Sequence, residues 1–269
     1  MTTERDPLVT ARPYGVTLPA GHGDGMLRPL IVVLHGYTAN GAGEDGYLGI
    51  SALADERQTI VAYPDGTMDP NGSQFWNATD GCCNFGNSSV DDVAYLAALI
   101  GDAIARYDAD PKRIFLVGHS NGAFMAHRMA CDRSDLVTGI AAFAGEVWND
   151  TSKCKPSTKL AILQIHGDAD DTIHYTGGML PLLSAPYPST PTTVDFWKGA
   201  EGCTASTPGA ALDLDSNLAG AETTVTRYTG CATGGALEHW RIVGGNHIPI
   251  FTKSFASSVY DFLAAHPRP

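Results

Sequence analysis

The sequence lacks any hydrophobic run long enough to cross a membrane, and residues 1–12 contain neither a basic nor an apolar segment typical of an export signal. It is also poor in positive charge: 17 lysines and arginines stand against 29 aspartates and glutamates, which gives a net charge of −12. This charge would repel polyanions such as nucleic acids and anionic membranes. We therefore expect no nucleic acid and no membrane as partner, and neutral ligands instead.

Cysteine patterns typical of metal sites are missing as well. The six cysteines include no CxxC pair and the nine histidines are scattered, so we predict no metal site. Their even number favours disulfides, which indicate an exported protein, secreted or periplasmic, whose signal peptide is absent from this chain. Reduced structural cysteines in a cytosolic protein are the alternative. The predicted disulfide residues are Cys82, Cys83, Cys131, Cys154, Cys203 and Cys231.

The length of the chain suits one large core. It has 269 residues, 43% of them hydrophobic, and no repeat, low-complexity tract or linker divides it. We predict a single catalytic domain over residues 1–269, with residues 1–8 as a loose N-terminal tail, and we expect a monomer.

One stretch has the pattern of a catalytic turn. The apolar run 114–117 ends in Gly-His-Ser-Asn-Gly at residues 118–122, and a helix-forming segment follows at 123–130. The order strand, tight Gly-x-Ser-x-Gly turn and helix is typical of a nucleophile elbow, in which the serine hydroxyl stands above the sheet. The pattern predicts Ser120 as a nucleophile. A glycine-rich connection without chemistry is the alternative.

Other polar residues follow predicted strands. After the apolar run 30–34, the backbone N–H of Tyr37 is a candidate oxyanion donor, together with the N–H of Asn121 after the nucleophile. We expect a structural role for His35, which ends that strand. His247, in a loop before the closing helix, is the best-placed base.

A carboxylate that orients this base is expected in the loop after the buried strand 159–165. Three aspartates compete there: Asp168, Asp170 and Asp171. An earlier pair, Asp91 and Asp92, is expected to supply helix-start charges.

Strands also alternate with helices along the chain. We predict further strands at 12–19, 59–63, 138–143, 223–228 and 237–243, and helices at 93–106, 192–199 and 252–265. This alternation, with the chain order serine, acid, histidine, describes an α/β-hydrolase: a mostly parallel central sheet flanked by helices on both faces, without a large lid domain. Whether the segment 175–192 forms a small flap stays open.

Several motifs together resemble a known family: Leu-His-Gly at 34–36, Val-Asp-Asp-Val at 90–93, Ser-Asn-Gly at 120–122, His-Gly-x-Ala-Asp at 166–170 and Gly-Gly-Asn-His at 244–247. The sequence resembles the secreted esterases that join polyhydroxybutyrate depolymerase-like proteins to feruloyl and acetyl xylan esterases, similar to carbohydrate esterase family 1. The resemblance implies Ser120 as nucleophile, Asp170 as acid and His247 as base.

The resemblance also implies a disulfide pattern. Adjacent cysteines can hardly bond to each other without distorting the peptide between them, and in the family each of the two bridges a different distant cysteine. Cys82 and Cys83 are therefore expected to pair with Cys131 and Cys154, in an order left open. Cys203 and Cys231 remain as the third pair.

The function implied by this resemblance is a serine-dependent carboxylic ester hydrolase that acts through an acyl-enzyme and needs no cofactor. Its expected substrates are feruloyl or acetyl esters of plant polysaccharides, or related bulky esters. Trp76 and Trp148 are candidates for substrate binding through their aromatic faces. The alternatives are a depolymerase of polyhydroxybutyrate or other polyester oligomers, an acyltransferase on the same fold, and a catalytically silent binding module.

Overall fold

A nine-stranded sheet runs through the computed structural model, which describes residues 4–269. The strands of this sheet are β1 (Gly15–Thr17), β2 (Arg28–Leu34), β3 (Ile60–Tyr63), β6 (Ala109–His119), β7 (Gly139–Phe143), β8 (Ala161–Gly167), β9 (Ala205–Pro208), β10 (Thr223–Thr229) and β11 (Ala236–Ile242). A separate hairpin joins β4 (Thr67–Met68) to β5 (Gln74–Phe75).

The strand order in the main sheet is β1-β3-β2-β6-β7-β8-β11-β10-β9. The six central strands, β3-β2-β6-β7-β8-β11, are parallel to one another. At the edges, β1 pairs antiparallel with β3, β10 with β11, and β9 with β10. The carboxyl ends of the parallel strands meet at one edge of the sheet, where active sites of such folds lie.

Helices cover both faces of the sheet. They are α1 (Pro7–Ala11), α2 (Gly41–Leu48), α3 (Ala54–Arg57), α4 (Asp92–Tyr107), α5 (Asn121–Asp132), α6 (Thr190–Glu201) and α7 (Ser254–Ala264), with short 3₁₀ turns at Ser51–Leu53 and Thr151–Lys153. Leu30 and Val32 of β2 face a core shared with α1, α4, α5 and α6. Ile31 and Val33 face a second core shared with α2, α3 and α7. The predicted α/β-hydrolase fold class is confirmed.

The start of α4 uses both aspartates of the Val-Asp-Asp-Val motif. Asp91 caps the helix, because its carboxylate accepts the N–H of Ala94. Asp92 is buried and accepts hydrogen bonds from Arg12 and from the N–H of Asn77, both at 2.7 Å. Both aspartates lie at the start of α4, as expected. Asp92 also links this helix to the loop after β5, through the N–H of Asn77.

The N-terminal segment differs from the expected loose tail. Residues 1–3 lie outside the described residues, but Arg5 forms an ion pair with Asp102 of α4 at 2.9 Å and Pro7 begins α1. The hydroxyl of Tyr14 donates to the same carboxylate at 2.8 Å. The prediction is therefore wrong for residues 5–8, because a buried carboxylate on α4 holds the arginine.

The disulfides also differ from the expected pattern. Cys82 bonds to Cys83, across a cis peptide bond, and Cys131 bonds to Cys154. The expectation that the adjacent cysteines reach different partners is wrong, because Cys131 and Cys154, the expected partners, bond to each other. Cys203 pairs with Cys231, as the resemblance implied.

A buried carboxylate at the end of α6 makes a testable contribution to stability. Glu201 accepts the N–H of Leu160 at 3.0 Å, has no exposed surface, and burial raises its pKa from 4.5 to about 7. The folded protein therefore binds more protons than the unfolded chain between these values, so this contribution to stability is present below pH 4.5 and lost as the pH rises through 7.

We expect Glu201→Gln to be more stable than the wild type at pH 8 by about 2–3 kcal/mol, and to differ little at pH 5. Urea unfolding at the two pH values measures the difference. Glu56→Gln, at an exposed position of α3, is the control and should show no such pH dependence. Equal effects of Glu201→Gln at both pH values would contradict the expectation.

Candidate active site

The sharp turn between β6 and α5 places Ser120 at the edge of the sheet. Its backbone has φ 53° and ψ −122°, which is unusual for a residue with a side chain. The turn brings backbone segments so close together that it requires glycine at two positions. A Cβ at Gly118 would collide with the backbone of Gly122, and a Cβ at Gly122 would collide with the carbonyl group of Leu34. The N–H of Ser120 donates to the Phe143 carbonyl at 2.8 Å, which anchors the turn to β7.

A hydrogen-bonded row of side chains starts at this serine. Nε2 of His247 lies 3.0 Å from Oγ of Ser120, and Nδ1 of His247 lies 2.7 Å from Oδ2 of Asp170. All three side chains are largely buried, with His247 9% exposed. Three residues from separate loops thus meet at the carboxyl ends of β6, β8 and β11, which are neighbours or near neighbours in the sheet.

Asp170 is held in one orientation by its own loop. Its Oδ1 accepts the N–H groups of Thr172 and Ile173, both at 2.8 Å, so Oδ2 is left to face His247. Burial alone would raise the pKa of Asp170, but hydrogen bonds from His166 and His247 outweigh burial and hold that pKa well below its usual range. Asp170 is therefore ionised at neutral pH.

His247 is suited to accept a proton. Burial lowers its pKa below the ordinary value of 6.5, and the hydrogen bond to Asp170 partly opposes this effect. The imidazole is consequently neutral at pH 7, and with Nδ1–H directed at Asp170 its Nε2 is free to take the hydroxyl proton of Ser120. Nε2 of His119 lies 3.0 Å from the backbone carbonyl oxygen of His247 and fixes that loop.

A cleft of about 490 Å³ opens beside Ser120. Its walls are mostly apolar and aromatic, and the Tyr37 and Phe85 rings meet edge to face with centroids 5.1 Å apart. The 175–192 segment contributes Leu180 to one wall and is pinned by a bridge between Gly178 and Tyr187. This segment therefore forms one wall of the cleft, which answers the question left open by the sequence.

The two predicted oxyanion donors are Tyr37, which lines the cleft together with Ser120, and Asn121, which follows the serine in the chain. The backbone N–H groups of Tyr37 and Asn121 donate to no other group between residues 4 and 269, so both are available to a bound ligand. Tyr37 lines the cleft and its hydroxyl donates to Asp69 at 2.7 Å. The Asn121 side chain bonds to both backbone polar groups of Trp76, at 2.6 and 3.0 Å.

The two tryptophans proposed for substrate binding lie elsewhere. Trp76 is fully buried, and its indole N–H donates to the His35 carbonyl at 3.1 Å. Trp148 is 8% exposed and lines a different, polar pocket with Arg128. The structure brings neither indole ring to the cleft beside Ser120. His35 is buried, contacts the backbone of Gly36 and Gly66, and has the structural position that was expected.

Sequence reasoning did not predict the contacts of four charged or titratable side chains around the site. Glu44 accepts the N–H of Gly36 at 3.0 Å and approaches His119 at 3.3 Å. Glu146 and His166 form a buried pair, 3.0 Å apart, behind Asp170. His119 and His166 belong to motifs already recognised, so their motif positions were a usable signal. Glu44 and Glu146 are placed by tertiary contacts that no local pattern reveals.

Two negative findings apply to the described part of the chain. From residue 4 to the C-terminus, no group of three or more histidine, cysteine or acidic side chains is arranged to hold a metal ion. Within the same range no helix has both the length and the apolar character that a membrane crossing requires.

The sheet order, the elbow and the position of the Ser-His-Asp row define the class as the α/β-hydrolase fold. Comparison with solved structures agrees: the acetyl xylan esterase from Aspergillus awamori superposes with a TM-score of 0.64 at 17% identity, covering 92% of this chain and 93% of that chain. Esterase PE8 superposes with a TM-score of 0.62 at 18% identity, covering 95% and 99%. At these identities the likeness concerns the fold.

The particular family follows from the sequence. The phospholipase/carboxylesterase family model matches residues 23–181, more than half of the chain, and the chain belongs to this family. Feruloyl esterase B of Piromyces equi is 26% identical over 76% of this chain and 39% of its own length. Poly(3-hydroxyalkanoate) depolymerase C of Paucimonas lemoignei is 27% identical over 65% and 41%. The chain thus spans less than half of the length of these two relatives.

Proposed function

We propose that the chain is a serine-dependent carboxylic ester hydrolase that acts through an acyl-enzyme on bulky esters of the feruloyl or acetyl-polysaccharide type. The single observation that carries this proposal is the row Ser120, His247 and Asp170, with contacts of 3.0 and 2.7 Å. Membership of a carboxylesterase family supports it.

The proposed reaction begins when Oγ of Ser120 attacks the ester carbonyl carbon while Nε2 of His247 accepts the hydroxyl proton. The N–H groups of Tyr37 and Asn121 stabilise the negative oxygen of the tetrahedral intermediate, and Asp170 stabilises the imidazolium. The imidazolium then protonates the leaving alcohol. Water, activated by His247, attacks the acyl-enzyme and releases the acid, which restores Ser120.

The shape and chemistry of the cleft support a bulky apolar acyl group. Its walls include Tyr37, Phe85, Ile173 and Leu180. The segments that contribute Leu180 and Ile248 to the cleft also carry exposed apolar side chains. Because such side chains can bind an apolar surface, polymeric polyester is a second candidate substrate. These exposed residues are Met179, Leu182, Ile248 and Ile250. Relatives named feruloyl esterase, acetylxylan esterase and poly(3-hydroxyalkanoate) depolymerase agree with both candidates.

Two methyl esters that share one leaving group test the acyl preference. We expect kcat/KM for methyl ferulate to exceed that for methyl acetate by about 10-fold or more, since burial of an aromatic ring contributes about 1.5–3 kcal/mol. Acetylated xylan and hydroxybutyrate oligomers complete the panel. A fluorophosphonate reagent should label the protein once, and mass spectrometry of the peptides should place the label on Ser120.

Each alternative predicts a different result in this panel. Preference for hydroxybutyrate oligomers would indicate the depolymerase. Acyl transfer to an added alcohol in place of hydrolysis would indicate an acyltransferase on the same fold. Absence of both turnover and labelling would contradict the proposal and leave a catalytically silent binding module.

A further inference from the structure

Behind Ser120 and His247 the hydrogen-bonded row continues into the interior. Nε2 of His166, in β8, lies 3.3 Å from the same Oδ2 of Asp170 that bonds to His247. On its other side, Nδ1 of His166 lies 3.0 Å from Oε1 of Glu146, which follows β7. Glu146 and His166 have no exposed surface. Two carboxylates therefore flank one buried imidazole, and one of them is the partner of His247.

The neighbours of His166 determine how many protons its ring carries. Nε2 faces two acceptors, the Ile173 carbonyl oxygen at 2.7 Å and Asp170, so it must donate. Nδ1 faces Glu146 and, at 2.9 Å, the hydroxyl oxygen of Thr190. That hydroxyl donates its own proton to Glu146 at 2.6 Å, which leaves its oxygen as an acceptor toward Nδ1. Both ring nitrogens are therefore donors.

We propose that His166 is a positioning residue, held as an imidazolium between Glu146 and Asp170, which orients Asp170 and weakens the hold of that carboxylate on a proton at His247. The proposal rests on the proposed esterase function for its kinetic consequence, but the charge of His166 is independent of it. A fixed cation beside Asp170 keeps the carboxylate ionised and turned toward His247, and it opposes a second cation at His247.

The electrostatics of the buried groups agree with this arrangement. Burial disfavours a charged imidazole, but hydrogen bonds to Asp170 and Glu146 outweigh burial and raise the pKa of His166 to about 9. The same cation contributes to the lowered pKa of His247, after burial as the main cause. His247 thus stays neutral, and able to accept a proton, at a lower pH than it would beside Asp170 alone.

Other titratable groups lie near Glu146 and His166 on neighbouring elements. The Tyr175 ring contacts His166 edge to face, with centroids 5.8 Å apart, and stacks on His239 of β11, whose pKa burial lowers to about 4. Arg241 lies over the Tyr175 ring and pairs with Asp168. Burial raises the pKa of Tyr175, so this ring is neutral at pH 7. His127 of α5 lies near Glu146, and burial lowers its pKa to about 4 although Glu146 opposes this effect. Tyr187 lies near Asp170, and Glu44 with His119 lies near His247.

The charge of His166 is measured in the unmodified protein by long-range ¹H–¹⁵N spectra of chain labelled with ¹⁵N-histidine. We expect one histidine to show both ring nitrogens protonated at pH 7. It is identified by its absence from His166→Gln and by its displacement in Glu146→Gln. In Glu146→Gln we expect this ring to lose a proton at lower pH than in the wild type. This readout needs no enzymatic activity, and if His166→Gln does not fold, the displacement in Glu146→Gln identifies the ring.

The consequence for His247 is measured by the pH profile of kcat/KM on p-nitrophenyl acetate. Without the cation, Asp170 holds a proton on His247 more strongly, so the acid limb in His166→Gln should move to higher pH by about half to one unit. We expect kcat to fall and KM to stay unchanged. His174→Gln, at an exposed position of the neighbouring loop, is the matched control and should keep the wild-type profile.

The experiments test the role of His166 and the proposed esterase function separately. A neutral His166 ring at pH 7, or a folded His166→Gln variant with the wild-type acid limb, would overturn the proposed role of His166. A wild-type protein that hydrolyses no ester would overturn the proposed function, while the spectra would still report the charge of His166.

Discussion

Replacement of Ser120 by alanine is expected to lower kcat for ester hydrolysis by about 10⁴- to 10⁶-fold. The reason is that no other hydroxyl lies within hydrogen-bond distance of Nε2 of His247 among residues 4–269. The variant should still fold, because among residues 4–269 the serine hydroxyl hydrogen-bonds only to the imidazole and alanine fits the same turn. Initial rates on p-nitrophenyl butyrate, with the melting temperature measured in parallel, test both statements.

A serine far from the cleft provides the matched control for this substitution. Ser206 lies on β9, where the strand is exposed, and Ser206→Ala should keep wild-type rates. Retention of more than about one hundredth of the wild-type activity by Ser120→Ala, without a loss of stability, would assign the nucleophile to another residue.

Asp170→Asn is expected to lower kcat by about 10⁴-fold, and the local hydrogen bonds explain why. The N–H groups of Thr172 and Ile173 fix an oxygen at the Oδ1 position. The new amide NH₂ must then occupy the Oδ2 position and point at Nδ1 of His247. A donor there stabilises the tautomer with the proton on Nε2, which cannot accept a proton from Ser120.

The neighbouring aspartate supplies the control for this prediction. Asp171 is exposed, and within residues 4–269 its carboxylate accepts a hydrogen bond only from Thr172, at 3.4 Å, so Asp171→Asn should keep nearly full activity. Single-turnover rates with p-nitrophenyl acetate measure the acylation step directly. If Asp171→Asn loses activity and Asp170→Asn keeps it, the acid has been assigned to the wrong member of this loop.

The strands and the elbow were predictable because their signals are local. The runs 30–34 and 114–117 are apolar on both faces, as parallel strands covered by helices must be. The turn at 118–122 requires small residues where the backbones of Gly122 and Leu34 approach. Asp170 and His247 each lie in the loop that follows a strand, so the alternation of elements placed all three residues of the Ser-His-Asp row at one edge of the sheet.

The errors arise where long-range contacts decide. α2 was not predicted, because three glycines in Gly41–Leu48 give it poor helix propensity. The helix forms because Asn40 caps it and because the N–H of Gly41 donates to Asp65 at 2.8 Å. Trp76 was expected to bind substrate, but its backbone bonds to the side chain of Asn121, which lies 45 positions away in the sequence, and its ring is buried.

Asn121 also limits how this site can be redesigned. Its backbone N–H is one of the two proposed oxyanion donors, while its side chain bonds to Trp76 in the loop that also carries the Cys82–Cys83 disulfide. A library that randomises position 121 would therefore disturb two properties at once, and most of its members would be lost to loop disorder. Ile248 borders the cleft, is 62% exposed and has no such second role, so directed evolution of acyl preference should begin at this position.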